Sequence, residues 1–181
     1  MFGIENYLGC IMAAILLNLT PGTDSMYIIT RSISQGQTAG FYSVLGITSG
    51  ILVHTLLASL GLSVLLANSP TAFMLVKYIG ASYLCYLGVK MLISKQQPLI
   101  AASLQDDEKP KPVQPLDHWQ IYKQGVLTNT FNPKVALFFL AFFPQFIDAS
   151  YAYSMVSFVI LGLTFAVTGF IWCSCLALLA S

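Results

Sequence analysis

The chain has 181 residues, of which 56% are hydrophobic and only 8% are charged, whereas about 25% of the residues of an ordinary soluble domain are charged. Its formal net charge of +1 comes from 8 Lys and Arg residues and 7 Asp and Glu residues, so no strong electrostatic field favours nucleic acid as a partner. The mean hydropathy of +0.75 exceeds what a globular core needs. The composition therefore excludes an ordinary soluble domain and predicts an integral membrane protein in a lipid bilayer.

The amino end and the cysteines give no sign of processing or of a cofactor. Residues 1–7 contain Glu5 but no Lys or Arg, so the first apolar stretch lacks the basic region of a removable signal. The cysteines lie in apolar stretches without the paired spacing of a disulfide framework or a zinc site. We therefore expect no metal and no cofactor. The four cysteines are Cys10, Cys85, Cys173 and Cys175.

Five apolar stretches are long enough to cross a bilayer, because about 20 helical residues cover its core of about 30 Å. A polar connector over about 94–123 follows the third stretch and is typical of a solvated loop. We therefore predict an all-α integral membrane protein, a multi-span helical bundle with one membrane domain over 1–181. The stretches run over about 7–30, 39–67, 71–93, 125–147 and 153–180.

The basic residues near the ends of these stretches predict the orientation, since Lys and Arg accumulate in cytoplasmic loops. All of them fall on one side, which places the amino terminus outside and the long connector in the cytoplasm. Three spans precede the connector, so the fourth starts from the opposite side. The two halves would form a 3+3 inverted repeat if a sixth span followed, and we expect that this last span is missing. The basic residues are Arg31, Lys90, Lys95, Lys109, Lys111 and Lys123.

A polar segment over 18–25 interrupts the first apolar stretch. Pro21 removes a backbone donor and clashes with the preceding turn, and Gly22 is a poor helix former. Within a membrane such a break is tolerated only where protein or a wet cavity satisfies the freed backbone groups. We expect Thr20 to cap a second half-helix that has Pro21 at its first position.

A similar segment over 128–134 interrupts the fourth stretch. With Pro21 aligned on Pro133, Thr20 matches Asn132 and Asn18 matches Thr130. Two interrupted spans at corresponding positions of inverted halves indicate a transporter's binding site, where freed amides and carbonyls meet the substrate. The candidate substrate-binding residues are Asn18, Thr20, Pro21, Gly22, Thr23, Asp24, Asn129, Asn132, Pro133 and Lys134.

Asp24 is the only acid well inside an apolar stretch, which by default indicates a function. It would bind the amino group of a substrate or carry a coupling proton. The alternative is a residue that caps free amides at a helix start, or one that is solvated near the inner interface. Capping does not require a charge at this depth, so we favour the functional interpretation.

His54 and Lys77 are further coupling candidates. Lys77 could pair with Asp24 or with a substrate carboxylate, as could Lys134, but both could instead reach the nearest interface. His54 follows Gly46 and Gly50 on a stripe of small residues that lets a neighbouring helix approach closely. It could relay protons, although a packed, hydrogen-bonded histidine is the commoner role.

The aromatic residues Trp119, Trp172, Tyr151 and Tyr153 fit positions at the membrane interfaces and indicate no specific function. The sequence contains no phosphate-binding glycine loop, nucleophile elbow or His-Glu metal motif. We therefore do not expect an enzyme.

Taken together, the motifs resemble the lysine-exporter (LysE) superfamily, particularly its homoserine/threonine efflux (RhtB) branch. The resemblance covers nearly the whole chain, and the order and spacing of the motifs make it specific. The motifs are Leu19-Thr20-Pro21-Gly22 with Asp24, Thr30-Arg31-Ser32 with Gln35-Gly36 and Ala39-Gly40, Gly46 to His54, Lys77 to Leu84 with Leu87-Gly88, Phe131 to Phe139, and Phe143 to Phe146.

The resemblance implies a secondary exporter in the bacterial inner membrane, driven by the proton gradient through alternating access. Its substrate would be a small amino acid or derivative such as homoserine, threonine, leucine or homoserine lactone. Family members usually have six spans, so the chain departs from them in its last span. The alternatives are a non-transporting membrane component or inactive truncated transporter and, with less support, a channel or intramembrane enzyme. The sequence leaves open whether the chain forms a homo-oligomer.

Overall fold

The computed structural model describes residues 2–93, 117–148 and 154–181, and leaves out some side chains between 65 and 93. The described part is helical apart from turns and one isolated bridge, which confirms the all-α class. Most of the predicted connector lies outside the described residues, as do Tyr151 and Tyr153. The helices are α1 (Tyr7–Leu19), α2 (Thr23–Asn68), α3 (Pro70–Ile93), α4 (His118–Thr130), α5 (Pro133–Leu137) and α6 (Ser154–Leu179).

Two helical segments of the described residues are long and apolar enough to cross a membrane, Thr23–Val64 and Met155–Leu179. A third is present if the pair His118–Thr130 and Pro133–Phe146, bent by 46°, forms one broken span. The predicted first stretch is divided between α1 and α2. The helix that contains the start of the predicted fourth stretch begins at His118, because the residues before Gly125 continue the helix without a breaker.

The long helix α2 contains a chain reversal at Gly36, whose φ of 82° and ψ of 178° are not helical. Ile28 packs in one cluster with Val44 and Ile47. In a straight helix Ile28 and Val44 would lie about 24 Å apart, so residues 23–35 and 37–68 must fold back on each other. Glycine suits the reversal because side-chain-bearing residues rarely adopt this backbone conformation.

Both arms of α2 pack along α4. From the first arm, Arg31 donates to Gln124 Oε1 at 3.0 Å. From the second arm, Gly46 touches the backbone of α4, since a Cβ added at Gly46 would lie 3.0 Å from the Cα of Gly125. The predicted stripe of small residues thus admits a neighbouring helix, and it is this approach that brings α4 to the centre of the bundle.

The amino end lies against the end of the helical segment that follows α5. This segment continues as a π-helical turn, Phe138–Phe142, and a 3₁₀ turn, Phe143–Phe146. Glu5 N donates to Phe146 O at 2.8 Å, and Asp148 N donates to Gly3 O at 2.9 Å. Beneath this contact, the phenylalanines of the π and 3₁₀ turns pack with Phe158 and Phe165 of α6 in the main apolar core.

Candidate functional site

The first break separates α1 from α2 through Thr20, Pro21 and Gly22. Thr20 caps the carboxyl end of α1, where its amide donates to the carbonyls of Leu16 and Leu17. The expectation that Thr20 caps the following helix is therefore wrong. That helix starts at Thr23, with its first backbone bond from Met26 N to Gly22 O, because an extended Thr20 still lets its amide complete the last turn of α1.

The second break separates α4 from α5 at Phe131 and Asn132. Asn132 caps the amino end of α5, as its Oδ1 accepts from Lys134 N at 3.0 Å. Pro133 occupies the first helical turn, where its missing N–H leaves no unmade bond. Both predicted interruptions are thus real helix ends, and each exposes backbone groups that helices normally pair internally.

The two breaks bind each other reciprocally. Asp24 begins the second half of the first broken helix, and its Oδ2 accepts from Asn129 Nδ2 of α4 at 2.8 Å. Lys134 begins the second half of the other broken helix, and its Nζ donates to Thr20 O at 2.9 Å and Leu17 O at 3.3 Å. An acid at a helix start and a cation at a helix end are both favoured by the helix dipoles. Each broken helix therefore places a charged side chain against the other: Asp24 against Asn129, and Lys134 against the end of α1.

A small cavity lies between the breaks, with a volume of about 20 Å³, which is enough for about one water molecule. Asp24 and Lys134 both line it, and in the described structure they form no direct ion pair with each other. Asp24 Oδ1 and Asn129 Oδ1 are buried without a hydrogen-bond partner among the described residues. Apolar side chains complete the wall: Ile47, Ile51, Val135 and Phe165.

The predicted site residues fall into two groups. Asn18, Asp24, Asn129 and Lys134 line the cavity. The other residues shape the breaks around the cavity without lining it. Pro21, Thr23 and Pro133 are exposed. Gly22 lies against the Lys134 ammonium, since a Cβ added at Gly22 would be 3.1 Å from Lys134 Nζ. The residues of this second group are Thr20, Pro21, Gly22, Thr23, Asn132 and Pro133.

His54 lies behind the cavity and not in its wall. Its Nε2 lies 3.1 Å from the carbonyl oxygen of Asn129, and its ring packs near Phe139. A carbonyl can only accept, so Nε2 carries the hydrogen of this bond. His54 thus helps to position Asn129, the partner of Asp24. Lys77 belongs to α3, but its side chain lies outside the described residues.

Sequence reasoning missed the contribution of α6. Trp172 and Cys173 line the cavity, whereas the sequence placed Trp172 at a membrane interface. α6 reaches the site because Asn18 Nδ2 donates to Thr168 Oγ1 at 3.1 Å and Gly169 lets Asn18 approach. An evenly apolar helix gives no local signal of which face meets a site, so Trp172 could not be identified from the sequence.

The site is suited to a small zwitterion. A carboxylate with one unpaired oxygen can accept from an ammonium group, and a nearby ammonium can donate to a carboxylate. The apolar wall strengthens both interactions because it lowers the local dielectric constant. Within the described ranges, no group of three or more His, Cys, Asp or Glu residues could hold a metal ion.

Comparisons with known proteins agree on one family. The family model for the LysE type translocator matches residues 15–181. The leucine efflux protein of Salmonella typhimurium is 31% identical over 98% of this chain and 80% of its own length. The leucine efflux protein of Klebsiella pneumoniae subsp. pneumoniae is 34% identical over 99% and 81%. An uncharacterised membrane protein of Pseudomonas aeruginosa is 33% identical over 88% and 72%. No solved structure matches the chain.

Proposed function

This chain belongs to the LysE type translocator family, and from that premise we propose that it exports small neutral amino acids from the bacterial cytoplasm in exchange for protons. One observation carries the proposal: Asp24 and Lys134 come from two broken helices and line one cavity as opposite charges that form no ion pair with each other in the described part of the chain. Charges inside a membrane protein are expensive and mark substrate or ion pathways.

The head group of the substrate would bind between the two breaks. Its ammonium would donate to Asp24 Oδ1 and Asn129 Oδ1, two buried acceptors of residues that line the cavity, which have no partner among the described residues. Its carboxylate would accept from the Lys134 ammonium, which would leave one of the carbonyls at the end of α1. All α-amino acids share these two groups, so the head-group site would set the class of substrate and not the choice of side chain.

Proton coupling would follow from competition at Asp24. A protonated Asp24 would bind an ammonium weakly, because the Coulomb attraction is lost. On the outer side, proton binding would release the amino acid. On the inner side, proton release would restore the carboxylate for the next substrate. His54 and Lys77 remain alternative proton carriers.

Alternating access would require the cavity to open, since about 20 Å³ is too small for an amino acid. The helix breaks and the reversal at Gly36 are the places where the backbone can change direction with the fewest lost bonds. The bonds from Lys134 to Leu17 and Thr20 would break as the two broken helices separate. With substrate bound, its carboxylate would first take the place of one of these carbonyls as a partner of Lys134, and the second bond would break as the helices part.

The substrate range follows from the relatives. Two of them are named leucine efflux proteins, so leucine is the first substrate to test. Homoserine and threonine, which the family resemblance implies, carry the same ammonium and carboxylate groups and are the next to test. Homoserine lactone, which the resemblance also implies, has no free carboxylate and would bind through its ammonium alone. The amino terminus would face outside and the connector the cytoplasm.

Excretion from dipeptide-loaded bacteria tests this function. Cells that express the chain should release leucine or another member of this group into the medium faster than control cells, and a protonophore should abolish the difference. Asp24→Asn keeps a side chain of the same shape, and it should lower the export rate at least tenfold because the charge is lost. Glu5→Gln is the matched control, since Glu5 is an exposed carboxylate away from the cavity.

Several outcomes would contradict the proposal. Unchanged excretion of every compound in the panel would favour a non-transporting membrane component. Export that resists the protonophore would remove proton coupling, and equal rates for Asp24→Asn and wild type would remove Asp24 from the site. An unsaturable ion current in reconstituted membranes would indicate a channel.

A further inference from the structure

Trp172 has a buried donor without a partner. Its side chain lines the charged cavity, and its Nε1 has no hydrogen-bond partner among the described residues. The indole nitrogen can only donate, and a buried donor that makes no bond costs free energy. Two other residues that line the cavity, Asp24 and Asn129, each have a buried Oδ1 without a partner among the described residues, and Trp172 Nε1 bonds to neither.

A second cavity lies on the other side of Trp172. Its volume is about 270 Å³, close to the lower end of the range of about 300–1,000 Å³ for ligand pockets. It lies between α1 and α6 and opens onto the exposed faces of these two helices. Ile15, Leu19 and Ile171 make it apolar. Asn18 and Trp172 line both this cavity and the charged one, so these two side chains form the wall between them.

From this arrangement we infer that Trp172 binds the carboxylate of the transported amino acid through Nε1, and that the apolar cavity receives its side chain. The inference rests on the proposed function and deepens it, because it names the donor that binds the substrate carboxylate and the cavity that selects an aliphatic side chain. The carboxylate would lie between two donors, Nε1 of Trp172 and Nζ of Lys134. The side chain of the substrate would cross the wall between the two cavities at the point where Asn18 donates to Thr168.

The apolar lining of the second cavity predicts which amino acid side chains bind best. In an apolar pocket each additional methylene of a ligand improves binding by about tenfold or more. A hydroxyl group in the same pocket would lose its bonds to water without gaining a partner. Leucine should therefore bind better than alanine and better than homoserine. A charged side chain such as that of lysine should be rejected.

The first test measures the donor. The full chain is reconstituted in lipid vesicles, and uptake of labelled leucine is measured against its concentration. Trp172→Phe removes the N–H and keeps an aromatic ring. It should raise the half-saturation concentration at least tenfold, since a bond to a charged group is lost. Trp119→Phe is the control, because Trp119 is exposed and stacks on Tyr122 away from both cavities.

The second test fills the apolar cavity. Cys175 lies on its wall and is exposed, so Cys175→Phe should insert a ring without disturbing the buried core. Leucine transport should then fall at least tenfold relative to alanine transport. Cys85→Phe places the same ring on α3, at another exposed cysteine, and should leave the ratio of leucine to alanine unchanged.

The outcomes separate this inference from the proposed function. If wild-type vesicles transport no amino acid, the proposed function fails. If they transport leucine but Trp172→Phe behaves as wild type, Trp172 does not bind the carboxylate. If Cys175→Phe lowers leucine and alanine transport equally, or leaves both unchanged, the apolar cavity does not receive the substrate side chain. The cavity would then hold a lipid chain or another helix.

Discussion

Asp24 and Lys134 show how single residues acquire a role through partners that are distant in sequence. Lys134 donates to the carbonyls of Leu17 and Thr20, and Asp24 accepts from Asn129. Each bond joins one broken helix to the other. That Lys134 reaches a membrane interface, which was its alternative role, stays a prediction. The structure places both charges where the freed groups of the two helix ends need them.

We predict that Lys134→Met lowers the free energy of unfolding by about 1–3 kcal/mol, because two interhelical bonds of about 0.6–1.7 kcal/mol each are lost. It should also abolish export, since the substrate carboxylate loses its cation. Denaturation in detergent and the excretion assay measure the two effects. Lys123→Met serves as the control, because the Lys123 side chain is exposed and lies over the Trp119 ring.

Lys134→Gln separates the two contributions. Its amide can still donate to one of the carbonyls, so it should be more stable than Lys134→Met while export stays lost. Export at the wild-type rate by Lys134→Gln would show that the site does not need a cation.

At the scale of the helices, the approach of α4 to α2 decides the geometry of the site. Gly50 faces Asn129, and a Cβ added at Gly50 would lie 2.6 Å from the Asn129 Cβ. Asn129 in turn is the partner of Asp24. The small residues of α2 therefore set the position of the candidate site through the distance between two helices.

We expect Gly50→Ala to destabilise the protein by about 1–3 kcal/mol, the usual cost of overpacking a tight contact, and to lower export by displacing Asn129. Gly61→Ala is the matched control on the same helix, since nothing lies within 4 Å of its added Cβ. It should be neutral or slightly stabilising, because Ala favours helix over Gly by about 0.8–1 kcal/mol. Thermal denaturation and the excretion assay compare the two variants. Equal behaviour of the pair would show that the contact with Asn129 is not critical.

The sequence predicted helix breaks better than it predicted helix caps or the packing partners of helices. The breaks at Pro21 and Pro133 were predicted, because proline and glycine act on their own turn of helix. The cap at Thr20 was assigned to the wrong helix, since the same residue can end one helix or start the next. The packing of Gly46 and Gly50 was predicted as a small-residue face, but its partner α4 was not.

At the scale of the whole molecule, two sets of contacts join segments that are distant in the sequence. Gly3 and Glu5 bond to Asp148 and Phe146, while Arg31 bonds to Gln124. The predicted sidedness, which stays a prediction, places the amino end and the end of the fourth stretch on one side, and residues near Arg31 and the connector on the other. Which of the two sides is the cytoplasm stays a prediction from the basic residues.

Cysteine labelling tests this orientation. In a variant without native cysteines, Glu5→Cys should react with a membrane-impermeant maleimide in intact spheroplasts, because the amino end is expected outside. Lys109→Cys in the connector should react only after the membrane is permeabilised. The reverse pattern would invert the topology and with it the predicted direction of transport.

The sequence by itself determined that this chain is an all-α membrane protein with two interrupted helices, and that one acid, Asp24, falls well inside an apolar stretch. These properties follow from the cost of polar groups in an apolar stretch and from the local effects of Pro and Gly, both of which act within a few residues. Only the tertiary structure decided that Lys134 serves the end of α1 and that Trp172 lines the cavity. Such contacts depend on how helices rotate and pack against each other, and an evenly apolar helix records neither its rotation nor its neighbours.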